Sequence, residues 1–172
     1  PTHANKKGTR YRYYVSQSLI KATRSRSPGT ACRVPAADLE AIVEDRVCVY
    51  LRDDAAVFDA GAGTAAHIEA SRNLIDGAVA LAQSWPTMPH TDKRMILKIL
   101  IARIDVRPAT VDIMIRPTTV SAVTAPEADL AKLATSDMAD LATLSLSVPA
   151  SVRRSGMETR LLIQGTAAAK QR

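Results

Sequence analysis

The stretch Lys6-Lys7-Gly8-Thr9-Arg10-Tyr11-Arg12-Tyr13-Tyr14-Val15-Ser16 decides how the N-terminal part of this chain folds. Aromatic and β-branched residues favour a strand, and the segment 6–9 before them is typical of a turn. Because side chains alternate along a strand, one face holds Tyr11, Tyr13 and Val15, and the other holds Arg10, Arg12 and Tyr14. The pattern predicts an apolar face that packs against the protein and a cationic face that contacts an acidic partner.

Positive charge is concentrated at the same end of the chain. The first 37 residues contain eight of the 23 Lys and Arg residues and none of the 17 Asp and Glu residues. The rest of the chain has 15 basic and 17 acidic residues, so the net charge of +6 comes from an arm of +8 and a nearly neutral body. This distribution favours a polyanionic partner. The alternative is a solvated basic loop beside a small sheet.

The composition allows a core made almost entirely of aliphatic residues. Apolar residues make up 47% of the 172 residues and aromatic residues only 3%, so Trp85 and Phe58 are expected as the rare bulky core residues. No apolar run is long enough to cross a bilayer, and the N-terminus has no signal-peptide pattern. Cys32 and Cys48 differ in context, which predicts reduced thiols and a cytoplasmic protein. Cys48 is expected to be a small buried hydrophobe.

Three helices are predicted in the middle of the chain. Pro35 stands where the first begins, and it runs through Arg52 with an apolar stripe at helical spacing: Leu39, Ile42, Val43, Val47, Tyr50 and Leu51. The segment 53–63 is ambiguous. Thr64 is predicted to cap a second helix that ends at Trp85, and Thr91 a third that ends at Ile104. The short connection between the last two predicts an antiparallel helical hairpin.

The apolar period changes to two after residue 105. Val111, Ile113 and Ile115 alternate with polar or larger neighbours, which predicts a β-hairpin with one buried face. A loop over 117–126, a weak helix within 127–141, a strand around 144–148, a turn at 153–156 and a returning strand over 158–164 follow. The predicted fold class is α+β: a small degenerate β-ribbon arm, a helix, an antiparallel helical hairpin and then β-hairpins. The predicted domains are the arm at 1–34, the helical region at 35–105, and a β-hairpin region with a polar tail at 106–172.

Four segments in this order resemble one protein family. They are Lys6-Lys7-Gly8-Thr9-Arg10-Tyr11-Arg12-Tyr13-Tyr14-Val15, Arg33-Val34-Pro35-Ala36-Ala37-Asp38-Leu39-Glu40, Lys93-Arg94-Met95-Ile96-Leu97 with Ile104-Asp105-Val106, and Val152-Arg153-Arg154-Ser155-Gly156-Met157-Glu158-Thr159-Arg160-Leu161. Spread over roughly residues 3–164, they resemble the C-terminal part of the large serine recombinases, which are resolvase/invertase-type site-specific DNA recombinases. Their order and spacing carry the resemblance, since none is a catalytic signature.

The resemblance implies a zinc β-ribbon module with an inserted helical hairpin. The ribbon would contact one half of an attachment site in double-stranded DNA, and the hairpin would contact other recombinase subunits. The family's ribbon takes a CxxC pair just before the region of Pro1 and a third ligand near Ser16, with Cys32 as the fourth. Structural zinc needs four nitrogen or sulfur ligands, and His3 is an isolated histidine, so we expect no metal and no cofactor.

The family's catalytic chemistry is not expected in this chain. The resemblance places the serine nucleophile and its activating arginines in an N-terminal domain outside these residues. Ser16, Ser18 and Ser25 lie near arginines, but serine in an arginine-rich loop is ordinary turn chemistry. We therefore expect no catalytic residue and no enzyme activity from this chain alone.

The leading hypothesis is a DNA-binding and subunit-assembly module of a site-specific serine recombinase. Basic side chains would contact phosphates and Tyr14 would pack on a sugar or base, with no membrane and no small-molecule substrate. The predicted nucleic-acid-binding residues are Lys6, Lys7, Arg10, Arg12, Tyr14, Lys21, Arg24 and Arg26. The second hypothesis is a truncated recombinase remnant that acts only as a protein-interaction scaffold without DNA affinity, and an intact enzyme is the third.

Overall fold

A computed structural model describes residues 2–6, 9–15, 33–61, 68–107, 109–125, 127–136, 142–155 and 158–163. For residues 4–6, 9, 10, 60, 61, 68, 152–155, 158–160, 162 and 163 the description covers the backbone alone. The fold is α+β, as predicted. Its elements in chain order are β1 (Thr2–Lys6), β2 (Thr9–Val15), β3 (Arg33–Pro35), α1 (Ala36–Leu51), α2 (Asp54–Gly61), α3 (Ile68–Ser84), a 3₁₀ turn (Trp85–Thr87), α4 (His90–Leu100), β4 (Ile101–Val106), β5 (Thr110–Ile115), a second 3₁₀ turn (Pro117–Thr119), α5 (Val120–Thr124), α6 (Leu130–Leu133), β6 (Leu144–Ser155) and β7 (Glu158–Ile163).

Contacts between residues group the chain into two compact units. The first unit comprises Pro1–Glu44, Val106–Val111 and Ser147–Arg172, and the second comprises Asp45–Asp105 and Asp112–Leu146. Each unit therefore combines segments that are distant in sequence, and the three-part division at 1–34, 35–105 and 106–172 stays a prediction. Within the described ranges, no helix is both long and apolar enough to span a membrane.

The basic arm forms a small antiparallel sheet in the order β1-β2-β3. All of β1 pairs with β2, from Thr2 opposite Tyr13 to Lys6 opposite Thr9, and Tyr14 lies opposite Val34 of β3. The predicted strand is thus confirmed. Of the predicted turn at 6–9, Lys6 and Thr9 are strand residues, and residues 7 and 8 lie outside the described residues. The predicted loop over 16–29 also lies outside them.

Helix α1 is the element that the sequence predicts best. All six residues of its predicted apolar stripe are buried, and Cys48 is buried beside them. Pro35 is the last residue of β3 and precedes the helix directly. Spacing at three and four residues brings these side chains to one face, so a single helix side supplies much of the core.

The ambiguous segment after α1 contains a helix, α2, that the sequence analysis missed. The side chain of Asp53 accepts a hydrogen bond from the Ala56 N–H at 3.1 Å, and its carbonyl accepts one from Val57 at 2.9 Å. Asp53 therefore caps the helix, and Gly61 ends it. Val57 is buried, whereas Phe58 is 47% exposed, so the prediction of Phe58 as a core residue is wrong. One helical step separates the two, which turns Phe58 away from the buried face.

The predicted loop over 117–126 contains a short helix, α5, with Val120 and Val123 buried. It packs against α3, where a methyl group built on Gly77 would lie 2.8 Å from the Thr124 Cβ. Glycine at position 77 is therefore what allows this close approach. Leu74, Ala78 and Ala82 of α3 and Trp85 directly after it are buried, so the helix has one inward face. Thr64, the predicted cap of this helix, lies outside the described residues.

Helix α4 ends at Leu100, four residues earlier than predicted, and the chain passes directly into β4. The backbone N–H of Arg116 donates to the Leu100 carbonyl at 2.7 Å. Its guanidinium Nη1 donates to the carbonyls of Ile99 and Ile101 at 3.1 and 2.8 Å. Arg116 thus occupies the acceptors that further helical turns would have used, and residues 101–106 pair as a strand. At the other end the helix begins after Pro89 with no side-chain cap, so the predicted cap at Thr91 is wrong.

The remaining strands form a second sheet in the order β4-β5-β6-β7. The predicted alternation of Leu144, Leu146 and Val148 in β6 is confirmed for the last two, which are buried, whereas Leu144 is 38% exposed. Ala150 is also buried and continues the alternation beyond the predicted strand. In β5, however, Val111, Asp112 and Ile113 are all buried, so the prediction of one buried face is wrong there because both faces are covered. The predicted turn at 153–156 is also largely strand, since residues 153–155 pair with β7.

The predicted helical hairpin is not a tightly packed pair. Helix α3 has its main contacts with α2 and α5, and α4 has its main contacts with α6, α5 and the second 3₁₀ turn. The 3₁₀ turn at Trp85–Thr87 and Pro89 connect the two helices. The indole of Trp85 is buried, and Lys93 Nζ lies 5.9 Å from the ring centroid.

Tyr50 of α1 gives a prediction for how the stability of the fold depends on pH. Its hydroxyl is buried without a hydrogen-bond partner among the described residues, and burial, with Asp53 nearby, raises its pKa from 10.0 to about 12. Because the folded state prefers the neutral phenol, the contribution of Tyr50 to stability is fully present below pH 10 and declines toward pH 12. Denaturant unfolding across this range should show a steeper loss for wild type than for Tyr50→Phe. Equal slopes for the two proteins would show that Tyr50 titrates normally.

Candidate nucleic-acid interface

Both faces of β2 are partly exposed. On the face of Arg12 and Tyr14, here called the Arg12 face, Tyr14 lies opposite the buried Val34, but Tyr14 itself is 38% exposed and Arg12 is exposed. On the face of Tyr11, Tyr13 and Val15, here called the Tyr11 face, Tyr11 is 42% exposed, whereas the other two are half-buried. The predicted packing of the Tyr11 face is therefore seen in part at Tyr13 and Val15 but not at Tyr11.

Glu40, in the first turns of α1, bonds to two side chains on the Arg12 face of β2. Its Oε2 accepts a hydrogen bond from Arg12 Nη2 at 2.7 Å, and its Oε1 accepts one from the Tyr14 hydroxyl at 3.2 Å. A carboxylate near the N-terminus of a helix also has a favourable interaction with the helix dipole. One side chain thus connects two residues of β2 to α1, and it uses both carboxylate oxygens to do so.

The second acid at the start of α1 has a similar role. Asp38 Oδ2 accepts a hydrogen bond from the backbone N–H of Leu161 in β7 at 3.1 Å. Leu161 is itself buried, and β3 contacts β7 within the first compact unit. The beginning of α1 is therefore bonded to β2 through Glu40 and to β7 through Asp38, and both carboxylates accept hydrogen bonds from within the protein.

The Tyr11 face of β2 carries aromatic rings, and a cation of β3 lies beside them. The guanidinium carbon of Arg33 lies 4.1 Å from the centroid of the Tyr13 ring, within the range of a cation–π interaction. Arg33 pairs with Val15 across the strands, which places it diagonally next to Tyr13. Arg33 was not among the predicted binding residues. No strand was predicted at 33–35, so only the pairing register in the structure places Arg33 on the same face as Tyr13.

The structure brings together two of the eight predicted binding residues, Arg12 and Tyr14, through Glu40. Arg10 lies opposite Asn5, and Lys6 lies opposite Thr9 at the end of the hairpin, which places both in the same small sheet. The other four, Lys7, Lys21, Arg24 and Arg26, lie outside the described residues. The described backbone thus groups four of the eight positions on two neighbouring strands.

No cluster of three or more His, Cys, Asp or Glu side chains suited to a metal occurs within the described part of the chain. His3 is exposed on β1 opposite Arg12, and Cys48 is buried on α1. The two positions that the resemblance relates to zinc, Ser16 and Cys32, lie outside the described residues.

The strength of the Arg12–Glu40 pair decides whether Arg12 is available to a ligand. The side chains are 47% and 32% exposed, and pairs of this kind stabilise proteins by about 0.2–1 kcal/mol. A phosphate contact on duplex DNA contributes about 0.9 decades of affinity at 0.1 M salt, or roughly 1 kcal/mol. The two energies are similar, so a DNA phosphate is able to compete with Glu40 for Arg12.

Comparisons with protein-family models, with curated protein sequences and with solved structures each return no match for this chain. The resemblance to serine recombinases therefore stays a prediction that rests on the quoted residues.

Proposed function

We propose that these 172 residues form a DNA-binding and subunit-assembly module of a site-specific serine recombinase, and that no residue among them cuts DNA. One observation carries the DNA-binding part. All acidic residues lie outside the first 37 positions, while eight basic residues lie within them, and part of this segment is a three-stranded sheet. A structured surface with this charge attracts a polyanion at long range. The subunit-assembly part rests on the family resemblance.

The sheet supports this proposal by giving the charges a defined spacing. Arg10 and Arg12 are two positions apart on β2, so their Cα atoms are separated by roughly 6–7 Å, close to the length of one or two nucleotide steps. Lys6 is the last residue of β1 and lies opposite Thr9 of β2. A short ribbon with cations along its length suits a groove flanked by phosphates.

Arg12 and Glu40 provide the test of this arrangement. Arg12→Ala should lower the slope of log affinity against log salt on duplex DNA by about 0.9, because one phosphate contact is removed. Glu40→Gln should raise the affinity up to about fivefold, because the internal competitor is removed. Fluorescence anisotropy with a labelled duplex across a salt series measures both effects.

Asp45→Asn is the matched control, since Asp45 is an exposed acid further along α1. It changes the net charge by the same amount as Glu40→Gln without touching Arg12. Equal gains from the two variants would show a general charge effect, and an unchanged slope for Arg12→Ala would remove Arg12 from the interface.

The alternative function is a protein-interaction scaffold without DNA affinity. The observation that favours it is the internal use of the arm's polar groups, since Glu40 neutralises Arg12 and also bonds Tyr14. Against it, Arg33 is exposed and lies over the Tyr13 ring, with no acidic partner among the described residues. A duplex titration at the lowest practical salt concentration separates the two functions, because a scaffold would show no binding.

A further inference from the structure

The Tyr11 face of β2, together with Arg33 of β3, presents three flat groups side by side. Tyr11 is 42% exposed, Tyr13 is half-buried, and the Arg33 guanidinium covers the Tyr13 ring at 4.1 Å. Tyr11 and Tyr13 are two residues apart on one strand, so they share a face at a separation of roughly 7 Å. The proposed phosphate contacts and the hydrogen bonds of Glu40 involve none of these groups.

The chemistry of this face suits unpaired bases. Exposed aromatic rings and guanidinium planes provide stacking surfaces, and every nucleobase has a π-face that can stack on them. In a duplex the base faces are stacked on each other and are hidden from a protein strand. The absence of any acid from the first 37 residues supplies the charge complementarity for the backbone of the same strand. An acidic peptide would match the charge but would leave the rings without a stacking partner.

We propose that the face formed by Tyr11, Tyr13 and Arg33 binds unpaired bases of single-stranded nucleic acid, with the arm's cations on the flanking phosphates. The inference rests on the proposed DNA-binding function and narrows its substrate to include exposed bases. Tyr11 is the principal stacking residue because its ring is the more exposed of the two. Tyr13 and Arg33 already stack on each other, so they offer a base the outer side of the guanidinium.

The test uses the full chain and fluorescence anisotropy with four labelled probes of equal length. They are a thymine oligodeoxynucleotide, the same strand with abasic sites, a uracil oligoribonucleotide and a duplex. Tyr11→Leu should lower affinity for the thymine strand by roughly 5- to 150-fold, because one base loses its aromatic partner. Tyr11→Phe should retain wild-type affinity. Leucine keeps an apolar side chain in the strand, so the variant is expected to fold. Circular dichroism verifies this independently of binding.

Phe58→Leu is the matched control, because Phe58 is an exposed aromatic residue outside the arm with a similar exposure of 47%. It should leave binding of every probe unchanged. If Tyr11→Leu lowers the affinity for the uracil strand as much as for the thymine strand, the ligand is single-stranded nucleic acid in general. If the affinity falls for the thymine strand alone, the ligand is single-stranded DNA.

Two other outcomes separate this inference from the proposed function. If the abasic strand binds as tightly as the thymine strand and Tyr11→Leu changes nothing, while the duplex still binds, base stacking is refuted and DNA binding stands. If no probe binds at low salt, the proposed function fails, and the inference fails with it.

Discussion

Replacing Lys6, Lys7, Arg10 and Arg12 together with glutamine is expected to lower the affinity for duplex DNA by roughly three to four orders of magnitude at 0.1 M salt. Each phosphate contact contributes about 0.9 decades under these conditions through counterion release, and four such contacts are removed. Competition titrations at fixed salt measure the loss, and circular dichroism verifies the fold. This variant tests the arm as a unit, whereas single substitutions test its members.

A control with the same change in net charge shows whether the position of the charges matters. Four basic residues outside the arm are exposed on helices α3, α4 and α6: Arg72, Arg94, Lys98 and Lys132. Replacing these four with glutamine should change the affinity by less than about tenfold, since only long-range attraction is reduced. Equal losses for the two sets would contradict a localised interface.

Arg116→Met is expected to lower the free energy of unfolding by about 3–6 kcal/mol, the contribution of two charge-assisted hydrogen bonds. The guanidinium donates to two part-buried carbonyls, those of Ile99 and Ile101, and hydrogen bonds from charged donors contribute about 1.5–3 kcal/mol each. Methionine retains an apolar stem of similar length, so the loss reports the hydrogen bonds. Urea unfolding followed by fluorescence of the single, buried Trp85 measures it.

Arg94→Met is the control for this change, because Arg94 is an exposed residue of α4 and surface substitutions rarely change stability by more than about 0.5 kcal/mol. A loss for Arg116→Met within that same range would mean that the carbonyls at the junction of α4 and β4 find other donors. The junction would then owe its early end to strand pairing alone.

Local patterns in the sequence correctly predicted the elements that bury a single face. The stripe of α1 repeats at helical spacing, and every member of it is buried. The alternation in β6 likewise predicted Leu146 and Val148 as inward residues, although Leu144, the first residue of the same pattern, is exposed. In such elements the spacing of apolar residues alone determines which side is covered.

The errors arise where a distant residue decides the outcome. Which face of β2 contacts α1 depends on Glu40, 28 positions beyond Arg12, and the end of α4 depends on Arg116, 15 positions beyond Ile101. Alternation reveals that two faces exist but not which of them receives a helix. The short helices α2 and α5 were missed for a related reason, since a cap at Asp53 and a close approach at Gly77 stabilise them rather than a long apolar period.

The candidate site was only partly predictable. The charge asymmetry and the tyrosine-rich strand were evident from composition and order. The hydrogen bonds of Arg12 and Tyr14 to Glu40 were not, because no local pattern links residues 28 and 26 positions apart. Nor was the exposure of Tyr11, since an aromatic face on a strand is more often a buried one.

The salt dependence of duplex binding by the wild-type chain tests the central claim most directly, because it counts the phosphates that the arm neutralises. With four contacts from Lys6, Lys7, Arg10 and Arg12, the account predicts a slope of log affinity against log salt of about −3.6 or steeper. A slope near zero, or no binding at the lowest salt concentration, would contradict it.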